Sequence, residues 1–516
     1  MKNARTPIII IMLILLLAPL ALPAGGRRET QAAAAAATDS TAPDTAGRNG
    51  ESGTSGRSAL PATTGVPAPR DRPDTIPSSL SVEQAITIAR AASGDLERAR
   101  IALDQGEADI QIARARRLPA ITGQASASYL VFPPDGIGLR AGELGTIPDP
   151  GGFPVRVPDS NVDLVPDPEP TFFRVSASLS QALVTWGKVQ AGIEASQLER
   201  DRLRVDATDR ERQLVTEVRR AYFGLVLARE TVDLLRDTQD ILDQITEDRR
   251  RGFDAGVRTR QEVLEVEAEL AAVRRQRVSA EQGMRSARRG LSFLLGADVP
   301  EETELVSQPR TAETPDPDES EVLAEALRFS PQLRELGIRR EQASVGLFVA
   351  ERTNSLRYPD IGLSVNAEVS GGRIPFSFNW RDSWDTDLTL TLASEFSVFD
   401  GGAQAARVRQ AEGDLAQAVS GLTDAEDGLR IEVSERIEAV RVAAAELAEA
   451  KAGLRLAEER RNNAEVSFEN ELITREDVLM ARIGATIATL EVSAAAFQLE
   501  QARTGLDALT GRILNP

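Results

Sequence analysis

The sequence repeats itself at a fixed distance of 215 residues, and this duplication limits the folds that the chain can adopt. The matched pairs include Phe253 with Phe468, Thr259 with Thr474, Leu291 with Leu506, and Gly296 with Gly511. A period of this length is too long for a short-period solenoid. Each half of the chain therefore tests any interpretation of the other half.

The first 24 residues are predicted to be a signal peptide. Lys2 and Arg5 precede an apolar run over 7–22, and small residues follow that run, which is the pattern of a secretory signal. An uncleaved membrane anchor is the alternative, although the run is short for a membrane span. Residues 25–77 are rich in Ala, Gly, Ser, Thr and Pro. Such a composition cannot bury a core, so this segment is predicted to be a disordered tether.

Composition excludes several classes of protein. The chain has no Cys and no His, so disulfides, lipid attachment at a cysteine, the usual zinc sites and Ser-His or Cys-His catalysis are absent. We expect no cofactor and no bound metal. The net charge of −19 also makes a nucleic-acid partner improbable on electrostatic grounds.

The rest of the chain is predicted to contain two copies of one order of elements: a helix, a strand pair and a long helical hairpin. Repeat 1 covers 78–300, a linker covers 301–319, and repeat 2 covers 320–516. The predicted strand pairs lie at 121–130 with 171–183 and at 360–370 with 387–399, and the predicted hairpins lie at 187–296 and 402–511.

The four predicted strands alternate between apolar and polar residues, as in Leu388, Leu390 and Leu392 against Thr389 and Thr391. This alternation gives each strand one apolar and one polar face. A soluble sheet packed on one side would explain the pattern, and so would a membrane barrel. Four strands are too few to close a barrel with a usable interior, but several copies of the chain could close one.

The hairpins carry a heptad seam, which is typical of coiled coils. In repeat 1 the seam includes Val218, Ala221 and Leu225, and a helix from 187 to about 251 would span roughly 98 Å. In repeat 2 the residue that corresponds to Ala221 is Arg436. We therefore expect the seam of the second hairpin to be interrupted at Arg436.

The order of elements, together with the two hairpin tips, resembles the TolC-like outer membrane efflux protein family. The tips read FDAGVRTRQEVL over 253–264 and FENELITREDVL over 468–479. The resemblance implies a mainly α-helical fold with a small β part. Duplicated long coiled-coil hairpins would form a periplasmic α-barrel, and four β-strands per chain would join a twelve-stranded outer-membrane β-barrel shared by a homotrimer.

The resemblance also implies a function without chemistry: an exit duct of a tripartite efflux or type I secretion system, located in the outer membrane and extending into the periplasm. Its partners would be a periplasmic adaptor protein, an inner-membrane transporter of the RND, ABC or MFS type, and outer-membrane lipid. Substrates would pass through unchanged, so the protein would not be an enzyme.

Positions in the tips carry the expected site residues. By resemblance, Gly256, Thr259, Glu471 and Thr474 match the turns on which adaptors dock. Glu471 stands where a glycine is expected, so the two hairpins are expected to differ there. The candidate gate of the inner aperture consists of Arg258, Glu265 and Asp477.

Two other functions fit parts of the sequence. A periplasmic coiled-coil adaptor or scaffold without a membrane barrel would explain the hairpins and the signal peptide. It would not explain two separate pairs of amphipathic strands. A secreted hydrolase could use paired carboxylates, but the acidic residues lie mostly on predicted helix surfaces, where solvated side chains are expected.

Overall fold

The computed structural model describes residues 76–514, except 133–136, 149–150, 153, 159, 166–168, 312–316 and 374–379. These residues belong to one structural unit. The predicted signal peptide, and the predicted tether up to residue 75, lie outside the described residues.

Long helices alternate with strands along the chain. In chain order the elements are β1 (Ser79–Leu80), α1 (Val82–Ala92), α2 (Gly94–Ala115), β2 (Ala120–Tyr129), β3 (Ile137–Leu139), β4 (Thr146–Pro148), β5 (Pro154–Arg156), β6 (Val162–Val165), β7 (Thr171–Val184), α3 (Lys188–Asp254), α4 (Arg260–Leu295), β8 (Glu304–Leu305), α5 (Glu319–Phe329), α6 (Pro331–Arg352), β9 (Asp360–Gly371), β10 (Trp384–Glu395), α7 (Ala403–Glu469) and α8 (Arg475–Thr510). Short 3-10 helices lie at Trp380–Ser383 and Arg512–Leu514.

Both long hairpins begin and end at corresponding glycines. Gly187 and Gly402 precede α3 and α7 with φ of 86° and 88°, and Gly296 and Gly511 follow α4 and α8 with φ of 68° and 76°. Residues other than glycine rarely adopt this left-handed conformation. α3 and α7 each contain 67 residues, which corresponds to about 100 Å at 1.5 Å per residue.

At one position in each hairpin, the buried residue of the seam lies one residue later in the chain than the sequence predicts. Tyr222 and Ile437, rather than Ala221 and Arg436, are the buried residues, with exposed fractions of 0% and 1%. The seam takes consecutive steps of four residues there, which a helix of 3.6 residues per turn allows. The Arg436 side chain is half exposed and pairs with Glu432 on its own helix. The predicted interruption of the seam at Arg436 is therefore wrong.

Tyr222 also joins the start of repeat 1 and the linker to α3. Its hydroxyl donates a hydrogen bond of 2.7 Å to the carbonyl of Leu80 and accepts one of 3.0 Å from the backbone N–H of Ser307. β1 and β8 pair in parallel beside it. Burial raises the pKa of the Tyr222 hydroxyl, so it remains a neutral donor over the physiological range.

The two hairpins pack side by side, with their helices in the order α4, α3, α8 and α7. α8 is long and apolar enough to cross a membrane by length and composition alone. It packs against α7 on one side and α3 on the other. α4 and α7 lie at the two ends of the row.

One antiparallel sheet joins the two repeats, in the strand order β10-β9-β7-β2. The loop between β2 and β7 contains two further antiparallel pairs, β3 with β6 and β4 with β5, which the sequence did not predict. Arg373, after β9, forms an ion pair of 2.9 Å with Glu169, before β7. This contact ties the loops of the two repeats together at one end of the sheet.

Candidate functional sites: the amphipathic sheet and the hairpin tips

The strand register places the apolar residues of all four strands on one face of the sheet. Ala177 of β7, for example, lies opposite Ala367 of β9, which in turn lies opposite Leu388 of β10. We call this the apolar face, and it includes Ile121, Ala125, Val175, Ala177, Leu179, Val365, Ala367, Val369, Leu388, Leu390 and Leu392. Among the described residues no helix covers β10 on this face, and Leu388, Leu390 and Leu392 are 74%, 71% and 67% exposed.

The opposite face is polar and makes its own cross-strand contacts. Nε of Arg174 lies 2.9 Å from Oε1 of Glu368, and the hydroxyls of Thr122 and Ser178 lie 2.6 Å apart. Further members of this face are Gln124, Ser126, Ser176, Asn366, Asp387, Thr389 and Thr391. A sheet with an exposed apolar face and a hydrogen-bonded polar face fits an apolar surrounding on one side and water on the other.

The sheet has two open edges, β2 and β10. All ten residues of β2 are exposed, and β10 is exposed over nearly its whole length. Long open edges present unpaired N–H and C=O groups, which soluble proteins usually protect. Pairing with strands from other copies of the chain would satisfy both edges.

Aromatic side chains lie at both ends of the sheet. At one end Trp384 stacks on Phe173 with ring centroids 6.3 Å apart, and its Nε1 donates a hydrogen bond of 2.9 Å to the carbonyl of Arg373. At the other end Trp186 packs edge-on against Tyr358 at 5.7 Å. Aromatic girdles at the two rims are typical of membrane-spanning β-barrels.

The two hairpin tips form the same turn although their sequences differ. Gly256 has φ of 72°, and Glu471, at the corresponding position, has φ of 59°. The N–H of Gly256 donates to the carbonyl of Phe253, and the N–H of Glu471 donates to that of Phe468, both at 2.9 Å. Glu471 thus adopts a backbone conformation that costs a non-glycine residue about 1–2 kcal/mol.

Thr259 and Thr474 begin the returning helices α4 and α8 as capping boxes. The Thr259 hydroxyl accepts from the N–H of Glu262, while the carboxylate of Glu262 accepts from the N–H of Thr259 at 2.7 Å. Thr474 and Asp477 repeat this arrangement. The backbone and side-chain hydrogen bonds lower the pKa of Glu262 to about 2. The hydrogen bonds from Thr474 lower the pKa of Asp477 in the same way.

An ion-pair cluster joins the two hairpins beside the tips. Arg249 of α3 pairs with Glu476 of α8, and its Nη1 also donates to the carbonyl of Glu262 at 3.1 Å. The guanidinium of Arg258 lies 2.9 Å from the carboxylate of Glu262 and 3.5 Å from that of Glu476. Arg475 reaches back from α8 to Gln244 of α3 at 3.2 Å.

The structure thus places one of the three predicted gate residues in a contact between hairpins. Arg258 lies in the cluster, whereas Glu265 accepts a hydrogen bond from Gln261 on its own helix and Asp477 caps α8. Sequence reasoning missed Arg249 and Glu476. A comparison of the two repeats could have revealed both, because the residues at the corresponding positions, Ala464 and Gln261, are uncharged.

Two apolar residues at the tips were also missed. Val257 and Leu472, at corresponding positions just after Gly256 and Glu471, are each 76% exposed. Both follow the left-handed residue of the turn. An exposed apolar side chain at the same place in both tips is a candidate contact for another protein.

Comparison with known families agrees with this architecture. Residues 85–297 match the family model described as "Outer membrane efflux protein". Over this segment, which is the first repeat, the chain is similar to that family. The resemblance inferred from the tips and the order of elements is thereby confirmed. A comparison with curated proteins gave no match.

Solved structures of bacterial membrane proteins share the fold of this chain. The CmeC outer membrane channel of Campylobacter jejuni superposes with a TM-score of 0.66 at 17% identity, covering 83% of this chain and 85% of that one. A membrane protein from Pseudomonas aeruginosa gives 0.64 at 17%, covering 83% and 93%. The outer membrane protein VceC of Vibrio cholerae gives 0.62 at 16%, covering 83% and 96%. The predicted fold class, mainly helical with a smaller strand part, is confirmed.

Proposed function

We propose that the protein is the outer-membrane exit duct of a tripartite efflux system and works as a homotrimer. The amphipathic sheet, with its exposed apolar face and two open edges, carries this proposal. Substrates pass through the duct without chemical change.

Three copies close the sheet into a barrel of twelve strands. β10 of one protomer pairs with β2 of the next, which leaves no unpaired backbone within the membrane. The apolar face then contacts lipid, and the polar face with Arg174, Glu368 and Asp387 lines a water-filled lumen. Acidic residues on that face favour the passage of cations.

The hairpins extend from this barrel into the periplasm. Helices of about 100 Å carry the tips far from the outer membrane, to where a periplasmic adaptor protein can reach them. The adaptor docks on the turns that contain Gly256, Thr259, Glu471 and Thr474, with Val257 and Leu472 as exposed apolar contacts. An inner-membrane transporter of the RND, ABC or MFS type supplies the energy.

The ion pairs beside the tips bias the inner aperture towards its closed state. Arg249, Arg258 and Glu476 hold the first hairpin against the second, and Glu265 and Asp477 complete the gate in the assembled trimer. An adaptor that binds the open arrangement more tightly would shift the population towards it.

Cell fractionation tests the proposed function. We expect the protein in the outer-membrane fraction and a trimer on gels that dissociates on heating. A soluble periplasmic monomer would contradict the proposal and favour the adaptor or scaffold alternative.

A matched pair of variants tests the orientation of the sheet. Leu390→Lys places a charge on the apolar face, which costs about 2–4 kcal/mol near the middle of a bilayer. We expect it to reduce the amount of trimer in the outer membrane. Thr389→Lys, on the neighbouring residue of the polar face, should assemble normally. Equal assembly of the two variants would contradict the assignment of the faces.

A further inference from the structure

An open cleft lies between the end of α2 and the start of α3, next to the first strand of the sheet. Its volume is about 530 Å³, which is within the range of small-ligand sites. Two arginines line it, Arg114 and Arg117, and both are exposed and form no ion pair within the part of the chain that the structure describes. None of the lining residues is acidic. The other polar side chains of the cleft are amides, from Gln111, Gln190 and Gln197.

The cleft opens on the side of α3 that corresponds to the apolar face of the sheet. In the first turn of α3, Lys188 forms an ion pair of 2.5 Å with Asp360, which lies on the polar face by the alternation of β9. At about 100° per residue, Gln190 and Gln197 lie on the opposite side of α3 from Lys188. The cleft and the polar face therefore lie on opposite sides of the chain.

The cleft is also continuous with the apolar face itself. Nε2 of Gln181 donates a hydrogen bond of 3.4 Å to the carbonyl of Arg117, and Gln181 lies opposite Leu363 in the register of the apolar face. Leu118, which lines the cleft, is 66% exposed, and Ile121 in β2 is 73% exposed. Basic and amide side chains thus adjoin an exposed apolar surface.

The second repeat does not carry the same side chains. Gln197 of α3 corresponds to Glu412 of α7, so a carboxylate replaces an amide. At the end of α6, which corresponds to α2, Arg352 is paired with Glu351 at 3.0 Å. The basic and amide lining of the cleft is therefore a property of the first repeat.

We propose that the cleft between α2 and α3 binds the headgroup of an anionic phospholipid, with one lipid per protomer. Arg114 and Arg117 donate charge-assisted hydrogen bonds to the phosphate, and the acyl chains lie along Leu118 and Ile121. Basic side chains at a membrane surface attract anionic lipid. The proposal rests on the proposed function, which places this end of the sheet at the periplasmic surface of the outer membrane.

Native mass spectrometry tests this site on the full-length trimer, released from vesicles of equal parts phosphatidylcholine and phosphatidylglycerol. We expect the wild-type trimer to retain phosphatidylglycerol, up to one molecule per protomer. The double variant Arg114→Gln with Arg117→Gln should lose it. Equal retention by the wild type and the double variant would overturn the site.

Arg116→Gln is the matched control. Arg116 lies between the two cleft arginines in sequence and is exposed like them, but it does not line the cleft. Its substitution should leave phosphatidylglycerol bound. Cations near the end of a helix interact favourably with the helix dipole, and a role confined to that effect would make the three arginines equivalent. Loss of the lipid from Arg116→Gln as well would therefore overturn the cleft as the binding site.

Heat dissociation of the detergent-solubilised trimer provides a second readout. Added phosphatidylglycerol should raise the dissociation temperature of the wild type, and phosphatidylcholine should not. Gln197→Glu, which introduces the carboxylate that the second repeat has at Glu412, should abolish this shift. The same shift with inorganic phosphate alone would indicate an anion site and overturn the assignment to a lipid.

The failure of this proposal is distinguishable from the failure of the proposed function. A heat-sensitive trimer that retains no phosphatidylglycerol, or retains both lipids equally, would overturn the lipid site and leave the proposed function standing. A wild-type protein that is monomeric in the membrane would overturn both.

Discussion

The two hairpin tips share their backbone and differ in their side chains. Both have a left-handed residue at the same position of the turn, Gly256 or Glu471, and both returning helices begin with a capping box. The first hairpin has Arg249 where the second has Ala464, and the second has Glu476 where the first has Gln261. The duplication has therefore preserved the backbone of the tips, whereas the residues that join the two hairpins, Arg249 and Glu476, correspond to the uncharged Ala464 and Gln261.

The returning helices α4 and α8 also correspond in backbone but differ in their surroundings. The face of α8 around Glu500 is buried against α3, whereas the corresponding face of α4 around Arg285 is open. The two repeats therefore differ in how much of the returning helix is covered by the described part of the chain.

The largest expected effect tests the contrast between the buried face of α8 and the exposed face of α4. Glu500 accepts hydrogen bonds of 3.0 Å from the backbone N–H and from Nε of Arg310. Glu500→Ala would leave Arg219 buried without its carboxylate, and breaking a buried pair costs about 3–5 kcal/mol. Thermal unfolding followed by circular dichroism should show a much lower Tm. Arg285→Ala, at the corresponding exposed position, should leave the unfolding of the separate chain unchanged, and equal losses would contradict the contrast.

The next effect concerns the ion pairs between the hairpins. Arg249→Ala removes a charged contact that is about four-fifths buried, and hydrogen bonds to charged groups contribute about 1.5–3 kcal/mol. We expect higher channel conductance in planar bilayers because the closed state loses this contact. Arg250→Ala is the matched control, since Arg250 pairs within the first hairpin. A gate elsewhere would be indicated if the two variants conduct alike.

The turn residues are expected to respond in opposite directions. Glu471→Gly removes the strain of a left-handed glutamate and should raise stability by about 1 kcal/mol. Gly256→Ala should lower it by a similar amount, although a Cβ there would meet no atom within 4 Å. Thermal unfolding of the two variants measures both effects. Shifts in the same direction would show that the two turns are not equivalent.

The smallest expected effect is the response of the two capping boxes to pH. The pKa values of Glu262 and Asp477 are lowered in the folded state. Their contribution is therefore fully present above about pH 4.5, and that of Glu262 is lost as the pH falls towards 2. Hydrogen exchange at the starts of α4 and α8 should show equal protection at pH 7 and pH 5, after correction for intrinsic rates. Fraying of either helix at pH 5 would contradict the assignment.

Much of the fold could be predicted from periodicity alone. Alternation in Leu388, Leu390 and Leu392 identified the strands, and the heptads identified the hairpins. The step of the seam at Tyr222 and Ile437 could not be predicted, because Ala221 fits a coiled coil as well as Tyr222 does. A period of 3.6 leaves this choice to tertiary packing.

The site was less predictable than the fold. Thr259 and Thr474 could be placed at helix starts from their spacing to Glu262 and Asp477. Arg249 and Glu476 are separated by 227 residues, and their pairing depends on how one hairpin lies against the other. No local pattern contains that information. A comparison of the two repeats does contain it, since neither residue has a charged counterpart.

Conductance in a planar lipid bilayer measures most directly whether the assembled chain is a water-filled duct. Trimer purified from the outer membrane should insert and give discrete steps of current. In a salt gradient, the reversal potential should indicate a preference for cations. A pure, heat-sensitive trimer that inserts into the bilayer and carries no current, even with Arg249→Ala, would contradict the account.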